Sequence, residues 1–172
     1  MKKILSIVLV GSVLFLTGCS PANENTLTEV SRVRSFNSAE ELRASSDLIV
    51  VGKVVDQKIV NDLAPESPIT VSTFAVQGVT LGTPTKTLRV RQFQVVVDGQ
   101  ESYLLEIGKS YLLYLTSTGL KGAMGRDYYV TGVDSGIYEE NGTTAAGRKY
   151  VRKSHLPGDK LPETVSESEL AK

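Results

Sequence analysis

Apolar and polar positions divide the chain into three stretches. An almost wholly apolar run, residues 4–16, follows Met1-Lys2-Lys3; residues 20–34 are polar and carry no sustained period; from Ser38 onward short apolar segments recur with strand-like alternation. Ser38-Ala39-Glu40-Glu41 sets a hydroxyl three residues before a carboxylate and predicts the capping box of a short helix, the first ordered element, with Leu42 as its apolar residue. Residues 48–55 are interrupted only by Gly52 and Lys53 and are rich in β-branched side chains, which predicts a strand covered on both faces. Over Ile69–Leu81 the alternation changes phase: Ile69 and Val71 share one parity, Phe74 and Val76 the other, and Val79 and Leu81 the first again. Each change asks for a bulge or bend, and Gly78 is a natural place for the second.

Further strands are expected over Thr87–Phe93, where Leu88 and Val90 oppose Arg89 and Arg91, over Val95–Val97 as a continuation up to a turn at Asp98-Gly99, and over residues 111–115, 128–131 and 136–139. Asn141-Gly142 predicts a tight type I′ hairpin. From His155 onward Pro157, Gly158 and Pro162 precede Ser-Glu-Ser-Glu, so residues 156–172 are expected to be a mobile tail. Residues 1–18 then form a signal, 19–35 a flexible tether, and 36–155 a single domain. Six or seven strands with one clear helix make that domain mainly β, a mostly antiparallel barrel or sandwich.

Ser46-Asp47-Leu48-Ile49-Val50-Val51-Gly52-Lys53-Val54, the strand ending Val79-Thr80-Leu81-Gly82, Leu88-Arg89-Val90-Arg91-Gln92, the run from Leu105 through Gly108-Lys109-Ser110 to Leu115, and Tyr128-Tyr129-Val130-Thr131-Gly132 with Gly136 together resemble a group of bacterial surface proteins. That group is similar in architecture to the barrel of tissue inhibitors of metalloproteinases. The resemblance covers about residues 38–145 and implies a small antiparallel OB-like β-barrel with one or two short helices. Those inhibitors use a disulfide-bonded N-terminal cysteine on the protease metal. The single cysteine here, Cys19, has no partner, so that mechanism does not carry over.

The apolar run ends in Leu16-Thr17-Gly18-Cys19. A leucine three positions before a cysteine and a small residue directly before it resemble the lipobox of bacterial lipoproteins, which implies cleavage before Cys19 and a diacylglycerol on its thiol. The physics agrees: roughly 13 apolar residues rise only about 20 Å as a helix, too short to span a bilayer. Two acyl chains hold a stable anchor where one binds marginally. The resemblance places the protein outside the cytoplasm, on the cell membrane or an outer membrane, held by acyl chains of the palmitate kind.

Composition removes other classes. Of 19 basic residues, Lys2 and Lys3 belong to the signal, leaving 17 against 19 acidic, a mature charge of −2, which gives no basis for nucleic acid binding. Without disulfides or tryptophan the domain must rest on a Val, Leu and Ile core. One cysteine and one histidine cannot supply the nitrogen and sulfur ligands of a zinc site, no calcium loop motif surrounds Asp134 and Glu139, and Glu139 and Glu140 are neighbours that point to opposite faces of a strand. No metal or cofactor is therefore expected.

Gly108-Lys109-Ser110 lacks the earlier glycine of a phosphate-binding loop, since position 103 is Tyr103, and reads as a turn entering a strand. Gly132-Val133-Asp134-Ser135-Gly136 has the wrong spacing for a serine nucleophile elbow, and the only histidine, His155, lies at the start of the expected tail. Arg148, Lys149, Arg152 and Lys153 form the one basic cluster, a candidate contact for anionic headgroups or wall polymers. The chain so far reads as a lipid-anchored envelope protein whose barrel is a non-catalytic binding module, met by the membrane and by an envelope protein or polymer. Residues 61–67 and 119–127 are its expected recognition loops. The alternatives are an envelope hydrolase with an unrecognised site and a structural or regulatory partner of another envelope protein.

Overall fold

A computed structural model describes residues 28–170 except 33, 65, 66 and 98; the expected signal, Cys19 and the first part of the expected tether lie outside the described residues. In chain order the elements are β1 (Thr28–Val30), α1 (Ala39–Ala44), β2 (Leu48–Val60), β3 (Ile69–Leu81), β4 (Thr87–Phe93), β5 (Val95–Val97), β6 (Gln100–Glu101), β7 (Ser110–Ser117), β8 (Tyr128–Val130), β9 (Ile137–Thr144), β10 (Gly147–Arg152), β11 (Thr164–Ser166) and α2 (Glu167–Leu170), with a 3-10 helix at Gly122–Arg126.

The fold is mainly β, with a closed five-stranded OB-like barrel and two short helices. β2 pairs antiparallel with β3, and β3 with β4; β8 joins β4 in parallel, pairs antiparallel with β7, and β7 returns to β2. The sheet branches at β7, which pairs with β8 through residues 115–117 and with β9 through residues 111–113. β10 and β11 continue that branch. Gly136 sits at the fork, where a Cβ would lie 2.7 Å from the Tyr114 carbonyl oxygen.

β2 is covered on both faces, as its apolar density predicts. Leu48, Val50 and Val54 fill the barrel with Phe74, Leu88, Val90, Leu113 and Leu115. Ile49 and Val51 point the other way, into a second core with Leu42 of α1, Tyr114, Tyr138, Tyr150 and Leu161. Gly52 lies against β3 with no room for a side chain; a Cβ there would stand 2.2 Å from the Ala75 carbonyl oxygen. α1 is capped as expected, the Glu41 amide donating to Ser38 Oγ at 3.2 Å. The return bond reaches one residue further, because Glu41 Oε2 accepts from the Asn37 amide at 2.8 Å.

The second phase change in β3 corresponds to register shifts beside Gly78, where Val51 and Gly52 face Gly78 and Val76. The first needs no bulge in β3, whose register with β4 is unbroken from Ile69 to Ala75. Ile69, Val71, Ser72 and Phe74 are all buried, so alternation fails there because both faces are covered.

Four expectations are corrected. Val95–Val97 does not extend β4 but joins β1 and β6 in a separate three-stranded sheet. Asn141-Gly142 lies inside β9, not in a turn: the register with β10 shifts beside it, Gly142 takes φ +81°, and the hairpin turns at residues 145–146. Residues 28–35 do more than tether, because β1 pairs in parallel with β5 and precedes α1 as an ordered element. Nor are residues 156–170 a loose tail: Leu156, Leu161 and Val165 are buried, and β11 pairs with β10. Apolar residues spaced among the prolines pin that segment to the core, which a reading by composition alone passes over.

Candidate functional site

The two loops expected to carry recognition meet on one side chain. Strand alternation turns Leu88, Val90 and Gln92 of β4 inward, where Gln92 bonds the backbone of Tyr103 and Leu105, and turns Arg89, Arg91 and Phe93 outward. Arg91 is nevertheless fully buried. Its Nη1 donates to Asp127 Oδ2 at 2.8 Å, at the end of the 119–127 loop, and its Nη2 donates to Asp62 Oδ1 in the 61–67 loop. Arg89 Nε stands 3.4 Å from the other Asp127 oxygen. Burial pulls the Arg91 guanidinium toward deprotonation, but the bonds to Asp127 and Asp62 outweigh it and hold its pKa above the ordinary value. A cation fixed in this way orients both loops at once, a geometry suited to displaying a surface.

Around this knot the barrel end is apolar. The Phe93 ring stacks on Tyr129 of β8 at 5.9 Å. Ile59 is 74% exposed, Leu63 40% and Phe93 37%, although each is large and hydrophobic. Lys58 in β2 and Lys121 and Arg126 in the 119–127 loop are exposed and have no ion-pair partner among the described residues.

A second buried ionic cluster lies at Gly132–Val133–Asp134–Ser135–Gly136, which is a turn. Val133 takes φ +70°, a left-handed conformation costly for a β-branched residue. Ser135 is fully buried; its hydroxyl lies 2.7 Å from Asp159 Oδ2 and 3.0 Å from the Gly132 carbonyl, while Arg32 Nη1 donates to it at 3.1 Å. Arg32 also pairs with Asp159 Oδ1 at 2.9 Å and donates to the Pro157 carbonyl. The Phe36 amide completes the set, donating to Asp159 Oδ1 at 2.8 Å. The cluster thus clasps the entering segment, the leaving segment and the turn. Ser135 has a carboxylate partner and no imidazole: His155 bonds Glu163 instead, at 2.8 Å. Asp134 accepts from the Tyr103 amide and from Ser154 Oγ, both at 2.8 Å, and burial pushes its pKa up despite those bonds.

The basic cluster on β10 is largely occupied. Arg148 bonds Glu167 at 2.8 Å, Arg152 bonds Glu163 at 2.6 Å, and Lys153 bonds Glu139 at 3.1 Å while lying over the Tyr103 ring. Lys149 alone of the four has no such pairing among the described residues. Glu139 and Glu140 do point apart, the first toward Lys109 and Lys153, the second toward Arg148. Lys109 sits in a turn entering β7 and pairs with Glu106 at 2.8 Å. Tyr103, wedged between Glu106, Tyr111 and Glu139, has its phenol held protonated by burial and by those neighbours.

Away from the loops, a groove of about 340 Å³ runs between Arg43, Val51, Gly78, Val79, Thr80, Glu167 and Leu170. Among the described residues, no three or more His, Cys, Asp or Glu side chains are grouped to hold a metal ion, and no helix is long and apolar enough to cross a membrane. No protein-family model matches the chain, and no curated protein matches it.

The sequence signalled the loops by composition and Arg91 by its place on a cationic strand face. It did not signal that Arg91 joins them, because Asp62 and Asp127 are 65 positions apart. The Arg32–Asp159 clasp was missed for the same reason, with both residues assigned to segments expected to be loose.

Proposed function

We propose that the protein is a lipid-anchored cell-envelope protein whose OB-like barrel is a non-catalytic binding module, with the 61–67 and 119–127 loops as its recognition surface. One observation carries the reading: the loops are fastened, at Asp62 and Asp127, to a single buried guanidinium, which sets those two points in a fixed mutual arrangement beside exposed apolar groups that the fold does not use. Further support comes from the state of the groups that could attack a substrate. Ser135 is sealed beneath a clasp, and the Tyr103 phenol is held protonated. The lipobox resemblance supplies the anchor at Cys19.

The test uses the full-length chain in its own envelope. Labelled fatty acid is expected on the wild type and lost in Cys19→Ala; labelling that survives the substitution overturns the anchor. A photo-crosslinker at position 63 is expected to capture a discrete envelope component, whereas one at position 143, on a hairpin that pairs with neither loop, is expected to capture none. Equal or absent capture at both positions overturns the binding face.

A further inference from the structure

The groove between α1, α2 and the end of β3 holds one cation that the protein itself does not pair. Its floor is Val51 of β2 and the backbone at Gly78 of β3. A Cβ at position 78 would stand 2.8 Å from Val51 Cγ2, so the missing side chain is what keeps the space open. Val79, which is 49% exposed, and Leu170 of α2 add apolar surface. At about 340 Å³ the groove has the size of a small-molecule site.

The other charges around the groove are paired with one another. Glu167, which lines it from α2, accepts Arg148 Nη2 on one oxygen at 2.8 Å and the Arg148 amide on the other at 3.1 Å. Those bonds hold the Glu167 carboxyl below its ordinary pKa and neutralise its charge. Arg148 Nη1 also donates to Gln77 Oε1 at 3.2 Å, which straps β10 to β3 beside Gly78, and Glu140 stands 4.0 Å from the same guanidinium. On α1, Glu41 bonds Arg34 and the Asn37 amide, while Glu40 is held by its own amide and the Ser38 hydroxyl at the start of the helix. Arg43, in the last turn of α1, lines the groove and has no carboxylate partner among the described residues.

A guanidinium beside an apolar floor is complementary to a carboxylate carried on an apolar chain. Thr80, which also lines the groove, adds a hydroxyl donor. A peptide main chain finds less to pair with: β2 holds one edge of β3 as far as Leu81, and on the other edge the 82–86 loop folds back, its Lys86 carbonyl taking the Val76 amide at 3.0 Å. We propose that this groove binds a small carboxylic acid as its anion, with the carboxylate on Arg43 and a short apolar chain over Val51 and Gly78 and against Leu170. The site shares no residue with the Arg91 knot or the loops fastened to it, and so goes beyond the binding face assigned to those loops.

The full-length chain in phosphatidylcholine nanodiscs is titrated with hexanoate and followed by saturation transfer to the methylene protons, with empty nanodiscs subtracted. Hexanoate is expected to bind at millimolar concentration or below. Hexanol, which lacks the carboxylate, and propanoate, which lacks most of the chain, are each expected to bind at least about 10-fold more weakly. Arg43→Gln breaks no ion pair within the described residues and is expected to weaken hexanoate roughly 10- to 100-fold with amide exchange of the domain unchanged. Arg43→Lys keeps the charge and is expected to restore part of that loss. Equal binding of hexanoate to the wild type and to Arg43→Gln overturns the site, as does hexanol binding as tightly as hexanoate. Absence of saturation transfer from the wild type at millimolar hexanoate overturns it too. A peptide with a C-terminal leucine that binds through Arg43 where hexanoate does not overturns the small acid in favour of a peptide terminus.

Discussion

Arg91 and Arg32 are both buried and both bonded to a buried aspartate, yet they fasten different things. Arg91 stands in the middle of a barrel strand and reaches outward, through Asp127 and Asp62, to two loops. Asp62 keeps 35% of its side chain in water, so this knot opens onto the surface. Arg32 stands on the segment that enters the domain and reaches, through Asp159, to the segment that leaves it, with Ser135 between them. Arg32 and Asp159 are 4% and 1% exposed, which closes this knot on every side. Desolvation makes each pair weak evidence for net stability, since apolar residues of equal volume often serve as well. What each pair does supply is placement: one orients two loops at the surface, the other holds the entering and leaving segments against the turn at Ser135.

The largest effect is expected where the closed knot is cut. Asp159→Ala removes the carboxylate that meets Arg32, the Phe36 amide and the Ser135 hydroxyl. Taking one partner from a buried ion pair typically costs about 3–5 kcal/mol, read here as a shifted urea midpoint. Amide exchange should rise in β1 and β11 and stay slow in β3 and β4. If β3 and β4 loosen equally, the clasp is part of the barrel and the contrast between the two knots fails.

Cutting the open knot should cost less and act elsewhere. Asp127→Asn keeps the side chain's shape and removes its charge, while Asp62 still faces Arg91. A hydrogen bond to a charged group contributes about 1.5–3 kcal/mol, which bounds the loss. Exchange should rise in residues 118–127 and leave β1 and β11 as they are. Loosening of β1 in this variant would show that the two knots are coupled across the barrel.

How much of this was legible in the sequence follows from the range of each signal. β4 was read with its ends correct, because Leu88-Arg89-Val90-Arg91 alternates cleanly and Gly82 to Pro84 marks its start. The double burial of β2 was legible from apolar density. Asn141-Gly142 misled because the same left-handed glycine serves a bulge as readily as a turn, and only pairing with β10 decides between them. The parallel pairs β1–β5 and β4–β8 leave no local trace at all. Both arginine knots depend on such long-range closure. The loops could therefore be nominated from composition, but neither knot could be drawn.

The smallest effect concerns the turn between the clasp and the barrel, and its sign depends on pH. Asp134 is buried and bonded to the Tyr103 amide and Ser154 Oγ, and burial raises its pKa above the ordinary carboxylate value near 3.8. The folded state then holds its proton more tightly than the unfolded state. Asp134 favours folding fully below about pH 4, and that contribution is lost as pH rises through the folded-state value. Asparagine fits the same contacts, its oxygen accepting from Tyr103 and its amide donating to Ser154 Oγ, and it carries no charge to desolvate. Asp134→Asn should thus be within about 1 kcal/mol of the wild type at acid pH. Its stability relative to the wild type should climb as pH is raised toward neutrality, measured by urea unfolding at several pH values. A relative stability that falls with rising pH would mean that the Asp134 charge is favourable where it lies, drawn by Arg32, and would make this turn part of the clasp's ionic knot.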